Sequence, residues 1–145
     1  MKTKLLSAVL AAICIGALSG CVSKSPRSFS SSQSPSWVLL ELREDLQYDD
    51  AWGRVVDLVV TQFELDVAMK EEGYLRTEWL YTWSGNYLSN YRVRMTIKFS
   101  PDHKNLKFRT EAQYLEDENW VVGTDSRLMS TLKTDLMGTI GRTTR

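Results

Sequence analysis

Few residues of this chain have side chains that could take part in covalent or acid–base chemistry. The 145-residue sequence contains one histidine, His103, and two cysteines, Cys14 and Cys21. Acidic residues cluster at positions 71–72 and 116–118. These residue types can act as a general base, a nucleophile or metal ligands, provided that their spacing brings them together.

The spacing of these residues does not favour catalysis or metal binding. His103 follows Pro101 and Asp102 in a predicted hairpin loop, where a lone histidine is usually an ordinary turn residue. A zinc site needs three or four ligands, and the sequence has no second histidine. The two acidic clusters fall at predicted turns and lack the alternating ligands of a calcium loop. We therefore expect no enzymatic activity, no cofactor and no metal ion.

Cys21 ends the stretch LSGC, which follows a short apolar run. Lys2 and Lys4 form a positive head, and residues 5–18 are mostly apolar but too few to span a bilayer as a helix. A positive head, a short apolar middle and a small-residue exit are typical of a secretory signal. The small residues before the cysteine resemble the lipobox of bacterial lipoproteins, in which the chain is cut before the cysteine and the cysteine is acylated.

The lipobox resemblance implies that residues 1–20 are removed and that Cys21 becomes the lipidated first residue of the mature chain. Several acyl chains on one residue anchor a protein durably in a membrane, and Cys14 leaves with the signal. Val22 rather than aspartate follows the cysteine, which in enteric-type bacteria implies delivery to the outer membrane, facing the periplasm. A soluble secreted protein that is cut near the same place is the alternative.

The composition of the mature chain disfavours nucleic acid as a partner. Loss of Lys2 and Lys4 reduces the 18 basic side chains to 16, against 18 acidic ones, for a net charge near −2. Nucleic-acid-binding domains normally have a basic excess. Residues 22–36 hold eight serines and two prolines, so we predict a lipidated cysteine and flexible tether over residues 21–36. Residues 37–145 are predicted to form a single domain.

Three successive segments alternate apolar and polar residues with the period of a β-strand. They are residues 75–83, 91–99 and 106–114. Shorter patterns at residues 37–42 and 63–69 predict two further strands. Alternation of this kind indicates an antiparallel sheet with one covered face and one face exposed to water.

Two helices are predicted to cover the apolar face of this sheet. The first is short and begins at Asp49 or Asp50, and the second is long and begins at Thr124 or Asp125, since these side chains can cap a helix. We predict an α+β fold, with a curved antiparallel sheet of four to five strands packed against one short and one long C-terminal helix. The predicted core consists of Trp52, Val55, Val56, Val59, Trp79, Val93, Met95, Ile97, Phe108, Leu132 and Leu136.

Two features of the predicted surface could bind a partner. The water-facing side of the sheet collects Arg76, Arg92, Arg94, Lys98, Lys107 and Arg109, against Glu78 and Glu111. Arg92, Arg94 and Arg109 would suit an acidic protein or the anionic groups of an envelope. Tyr87, in the loop 84–90, is placed to anchor a partner, because aromatic residues are enriched at interface hot spots. A sheet face that is only solvated, with charges that discourage aggregation, is the alternative.

Residues 49–67 and 72–79 resemble the repeated domain of BamC, a lipoprotein subunit of the outer-membrane β-barrel assembly machinery. The shared features are an Ala-Trp pair in the helix, here Ala51 and Trp52, and a glycine turn, here Gly73, that leads into a strand. The resemblance implies a helix-grip fold and a role in barrel assembly through protein–protein interaction with the assembly subunits. Helix-grip folds elsewhere enclose apolar ligands between sheet and helix, so a carrier of lipid or another small apolar ligand is the alternative.

Overall fold

The computed structural model describes residues 25–142, and the predicted signal and Cys21 lie outside these described residues. Within them the chain forms seven strands and two helices. These are β1 (Phe29–Ser31), β2 (Val38–Glu41), α1 (Tyr48–Val60), β3 (Leu65–Met69), β4 (Tyr74–Thr77), β5 (Tyr91–Phe99), β6 (Asn105–Glu116), β7 (Asn119–Asp125) and α2 (Ser126–Ile140). The predicted α+β class is confirmed.

The described strands form one antiparallel sheet in the order β1-β7-β6-β5-β4-β3. β2 pairs with residues 105–108 of β6, next to the stretch 112–116 that pairs with β7. Both helices pack on one side of the sheet, which we call the core face, and they contact each other. We call the opposite side the solvent face. The sheet is larger than the four to five strands predicted, because β1 and β7 are additional.

The alternation of β5 and β6 is confirmed. Every odd-numbered residue of β5 is buried, as is every even-numbered residue of β6 from 106 to 114. The two strands pair without interruption from Tyr91↔Tyr114 to Phe99↔Leu106. The helices complete the core with Ala51, Trp52, Val55, Val59, Leu128, Leu132, Leu136 and Ile140. Of the other predicted core residues, Val56 is only half-buried and packs against this cluster.

The first helix differs from the prediction in its length and its start. α1 has 13 residues against 15 in α2, so it is not distinctly short. It begins at Tyr48 with Gln47 as the N-cap, and no side chain caps it. The prediction of an aspartate cap was wrong, because Asp49 and Asp50 lie inside the first turn. There their carboxylates interact favourably with the positive end of the helix dipole.

Asp125, which is one of the two predicted capping residues, is the N-cap of α2. Its Oδ1 accepts a hydrogen bond from the Leu128 amide at 2.9 Å. Its Oδ2 accepts from the Ser28 hydroxyl at 2.7 Å and from the Tyr91 hydroxyl. The residue is fully buried, and these bonds offset the cost of removing the carboxylate from water. Burial, and then the bond to Asp125, raise the pKa of Tyr91 well above its usual range.

The prediction that Trp79 is in the core was wrong, because the strand pattern is interrupted before it. Arg76 pairs with Thr96 in regular register, but Leu80 rather than Trp79 then pairs with Val93. One extra residue on this side of the ladder moves the next side chain to the opposite face of the sheet. Leu80 therefore packs against the core, and Trp79 lies on the solvent face.

Part of the predicted flexible tether is a strand of the sheet. β1 pairs with β7 at the edge of the sheet, although its surroundings in the sequence are rich in serine and proline. A single aromatic residue, Phe29, packs edge-on against the Tyr91 ring with their centroids 5.9 Å apart. The tether prediction was therefore wrong for these residues, and the ordered chain begins well before residue 37.

Candidate functional site on the solvent face of the sheet

The solvent face carries basic and aromatic side chains that alternate with the buried ones, because successive residues of a strand point to opposite sides. Its central members come from β2, β5, β6 and β7, and from the residues just before β2 and just after β4. They are Trp37, Leu39, Trp79, Arg92, Arg94, Lys98, Lys107, Arg109, Glu111, Gln113 and Trp120. The sheet thus turns an apolar face to the helices and a cationic, aromatic face to water.

Arg92 lies between two tryptophan rings. Its guanidinium carbon is 4.6 Å from the ring centroid of Trp79 and 4.1 Å from that of Trp120. Nε and Nη2 of Arg92 donate to Gln113 Oε1 at 2.9 and 2.7 Å, and Nη1 donates to the Tyr81 hydroxyl at 3.0 Å. A cation over an aromatic ring contributes about 0.5–2 kcal/mol, so these contacts together hold Arg92 in one orientation.

Arg94 extends the same arrangement toward β6. Its guanidinium carbon lies 4.3 Å from the Trp79 ring centroid, and its Nε donates to Glu111, its partner across the strands. Glu111 also pairs with Arg109, whose Nη2 lies 3.2 Å from Oε1. The Glu111 side chain is only 14% exposed, so water and salt screen these pairs less than they screen an exposed pair. One carboxylate therefore joins the two arginines.

Trp37 lies beneath two cations at the end of this row. Lys107 Nζ is 4.9 Å and Arg109 Cζ is 4.8 Å from its ring centroid. Trp37 is still 39% exposed, and Leu39 beside it is 69% exposed. We call the continuous row of contacts the Trp–Arg ladder; it consists of Trp37, Arg109, Glu111, Arg94, Trp79, Arg92 and Trp120.

Two lysines face each other where the ladder is most exposed. Lys98 is the register partner of Lys107, and Leu39 is the partner of Lys107 on its other side. Like charges directly opposite each other are unfavourable, and Lys98 forms no ion pair within residues 25–142. A groove of about 200 Å³ lies between them, with Pro101 and Asn105 in its wall. We call Trp37, Leu39, Lys98 and Lys107 the lysine patch.

The predicted site residues fall into two groups. Arg92, Arg94 and Arg109 share the solvent face, as the alternation predicts, but the contacts of the ladder already engage them. Tyr87 is separate from the sheet, in the loop between β4 and β5. It is 69% exposed and stacks on Tyr81 with ring centroids 5.9 Å apart. Because Tyr81 accepts a hydrogen bond from Arg92, Tyr87 lies just beyond one end of the ladder.

The alternation in the sequence does not identify the tryptophans as members of this surface. Trp79 is predicted to be buried, and Trp37 and Trp120 are not singled out. The sequence offers one indication of such stacking, which is that tryptophans occur near strands with arginine at every second position. Guanidinium groups stack on aromatic rings. That indication does not give the strand register, and it is the register that brings Trp79 and Trp120 to either side of Arg92.

A small cavity lies between the helices and the core face. The cavity there has a volume of about 20 Å³ and is lined by residues of α1, α2 and β5 together with Trp83. A volume of that size holds about one water molecule, whereas pockets for drug-sized ligands measure about 300–1,000 Å³. An acyl chain could enter this space only if the helices moved away from the sheet.

His103 lies in the hairpin between β5 and β6, where its ring stacks on Tyr48 at a centroid distance of 3.7 Å. Burial, and then the nearby charge of Glu71, raise the pKa of Tyr48. Across residues 25–142, no three His, Cys, Asp or Glu side chains are grouped as metal ligands would be. No helix in this part of the chain is long and apolar enough to cross a membrane.

No protein-family model matches the chain, and a search of curated proteins found no match either. The resemblance of residues 49–79 to BamC therefore stays a prediction.

Proposed function

We propose that the protein is a non-catalytic envelope lipoprotein, anchored at Cys21 in the outer membrane, that acts by binding another protein through the solvent face of its sheet. The assembly of outer-membrane β-barrels is the process we propose, because residues 49–79 resemble BamC. A helix-grip arrangement is part of the same proposal. It is supported by α2, which follows the strands in the chain and packs on the core face.

The observation that carries this proposal is the lysine patch. Exposed Trp37 and Leu39 lie beside two facing lysines, so an acidic partner residue would offset the repulsion between Lys98 and Lys107. Burial of the apolar surface of Leu39 would add a favourable term. The rest of the Trp–Arg ladder holds its side chains in place before a partner arrives, which reduces the entropy lost on binding. The patch therefore fits a protein surface with acidic and apolar groups.

The small size of the cavity between the helices and the core face favours this function over the carrier alternative. A carrier of lipid or another apolar ligand needs an interior pocket, and the cavity beside Trp83 and Leu132 measures about 20 Å³. The exposed apolar residues Trp37 and Leu39 lie on the opposite side of the sheet from that cavity. A binding role for the outside of the sheet requires no opening of the core.

The experiment is crosslinking in cells followed by affinity purification of the full-length protein through a C-terminal tag. Wild type should recover a discrete set of envelope proteins that includes barrel-assembly subunits. The double variant Lys98→Glu with Lys107→Glu should lose most of that recovery, because it places negative charge at the patch. The matched control, Arg54→Glu with Lys133→Glu, makes the same change in charge at exposed positions of the two helices.

Equal recovery by the wild type and the patch variant would overturn the proposed surface. Recovery of other envelope proteins without assembly subunits would overturn the barrel-assembly part alone. Stoichiometric bound lipid without any protein partner, measured by mass spectrometry, would instead support the carrier. Both double variants should retain the wild-type melting midpoint, since the four side chains are exposed.

A further inference from the structure

The chain just before β1 is fixed to the start of α2. The Ser28 hydroxyl donates to the buried Asp125 carboxylate at 2.7 Å, and the Ser126 amide donates to the Ser28 carbonyl oxygen at 2.9 Å. The Phe29 amide in turn donates to the Pro26 carbonyl oxygen at 2.9 Å. These bonds hold the backbone in place from about Pro26 onward.

The close approach of β1 to β7 depends on Gly123. A Cβ atom at this position would lie 2.3 Å from the Ser30 carbonyl oxygen and 2.6 Å from the Phe29 ring. The Phe29 ring also contacts Tyr91 and Tyr114, with centroid distances of 5.9 and 6.1 Å. The segment is therefore packed against the domain by an aromatic side chain as well as by hydrogen bonds.

This attachment shortens the link between Cys21 and the folded domain. From Cys21 to Pro26 there are five residues, which span at most about 18 Å when fully extended. A tether that stayed free as far as Trp37 would have 16 residues and could span about 58 Å. If Cys21 carries the lipid, the domain is held close to the membrane, with the β1 edge of the sheet nearest to it.

We propose that the edge formed by Arg27, Ser28, Ser126 and Arg127 is a membrane-contact surface that binds anionic lipid headgroups and fixes the orientation of the domain. The proposal rests on the proposed lipid anchor at Cys21. With β1 facing the bilayer, β3 becomes the strand farthest from it. The plane of the sheet is then roughly perpendicular to the membrane. The solvent face and its lysine patch are therefore accessible from the side to a neighbouring envelope protein.

The charges near this edge suit an anionic surface. Arg27 and Arg127 are exposed, with the Arg127 guanidinium carbon 5.9 Å from the Trp83 ring centroid. No exposed position of α2 carries an acid, and Asp135 is half-buried. The acidic hairpin 116–118 lies at the opposite end of β7, roughly 20 Å away at 3.3 Å per residue. Basic residues beside a membrane are attracted by the negative surface potential of anionic lipids.

The test measures the distance of two labelled positions from the bilayer. Full-length lipidated protein, purified from membranes, is reconstituted in vesicles of phosphatidylethanolamine and phosphatidylglycerol that contain a nickel-chelating lipid. A spin label is attached at Ser130→Cys, near the proposed contact edge, or at Met69→Cys, on β3. The five spacings between the six strands from β1 to β3 total roughly 24 Å, so nickel should strongly relax the label at position 130 and barely affect the one at 69.

Two variants that loosen β1, Gly123→Ala and Phe29→Ala, should reduce this difference while the protein stays bound to the vesicles. Equal relaxation at both positions in the wild type, with the protein bound, would overturn the proposed orientation but leave the anchor intact. Failure of the wild type to sediment with the vesicles would overturn the anchor, and the orientation with it. The two failures are therefore distinguishable.

Discussion

The two faces of β5 and β6 are stabilised in different ways. On the core face, apolar side chains such as Ile97 and Phe108 are fully buried against the helices. On the solvent face, Arg92 and Arg94 lie across tryptophan rings and remain partly in water. The first arrangement gains free energy by removing apolar area from water, at about 25 cal/mol per Å². The second gains a smaller amount from directional contacts.

This difference separates the residues that maintain the fold from those available for recognition. Removal of a core side chain leaves a cavity that the neighbours can only partly fill. Removal of a side chain from the solvent face leaves a gap that water can enter. We therefore expect substitutions on the core face to act mainly on stability, and substitutions at the lysine patch to act mainly on binding.

The largest effect is expected from Ile97→Ala on the core face. Ile97 is fully buried, so the change should lower the free energy of unfolding by about 2–5 kcal/mol. The control is Lys98→Ala, one residue further along β5 on the solvent face, which should change it by less than about 0.5 kcal/mol. Urea denaturation of both variants measures the two values. Similar losses would mean that the two faces do not differ as described.

The second largest loss of stability is expected from substitution of Asp125, where the edge of the sheet joins α2. Asp125→Ala removes the acceptor for Ser28, Tyr91 and the Leu128 amide, and should cost about 3 kcal/mol. Asp50→Ala is the comparison, because Asp50 lies in the first turn of α1 without capping it. It should cost at most about 1 kcal/mol. An equal loss in both variants, measured by urea denaturation, would contradict the role given to Asp125.

A smaller effect is expected within the Trp–Arg ladder. Arg92→Lys keeps the charge but loses the planar group that stacks between Trp79 and Trp120 and donates to Gln113. The expected loss of stability is about 1 kcal/mol. Arg54→Lys, at an exposed position of α1, should be neutral. If the two variants have the same midpoint in urea, the ladder contributes nothing measurable and the solvent face is simply a hydrated surface.

The smallest effect on the free energy of unfolding is expected from the Tyr91 hydroxyl at alkaline pH. Folding raises the pKa of Tyr91 above its value of about 10 in the unfolded chain. The protonated hydroxyl therefore contributes its full share of the free energy of unfolding below about pH 10, and this contribution is lost as the pH rises above that value. Tyr91→Phe should be less stable than wild type near neutral pH, and the gap should narrow above about pH 10. Unfolding measured from pH 8 to 11.5 tests this. A constant gap would contradict the buried Tyr91–Asp125 contact; exposed Tyr87→Phe is the control.

The sequence predicts the regular part of this sheet well, for a local reason. In β5 and β6 the side chains on the core face, which all have one parity in each strand, are apolar except for Thr110, so the buried face can be predicted without knowing what covers it. The same pattern fails at Trp79, because one extra residue before Leu80 reverses the faces. Such an irregularity depends on how two strands pair, which the alternation within one strand does not contain.

The edge of the sheet and the Trp–Arg ladder are harder to predict, since their contacts join distant parts of the chain. β1 has three residues, and its Phe29 packs on Tyr91 and faces Gly123. Nothing in a serine-rich segment indicates that one phenylalanine has such a site. In the same way, the arginines are recognisable as exposed residues, but their stacking partners become visible only once the register of β5, β6 and β7 is known.

The most direct test of partner binding through the solvent face places a photo-activatable crosslinking residue on that face in living cells. Benzoylphenylalanine in place of Leu39 lies in the lysine patch, and in place of Val60 it lies on α1; both positions are exposed and apolar. We expect a discrete crosslinked product from position 39 that position 60 does not give, and that Lys98→Glu with Lys107→Glu abolishes. Products from position 60 alone, or the same products from both positions, would contradict binding through the solvent face.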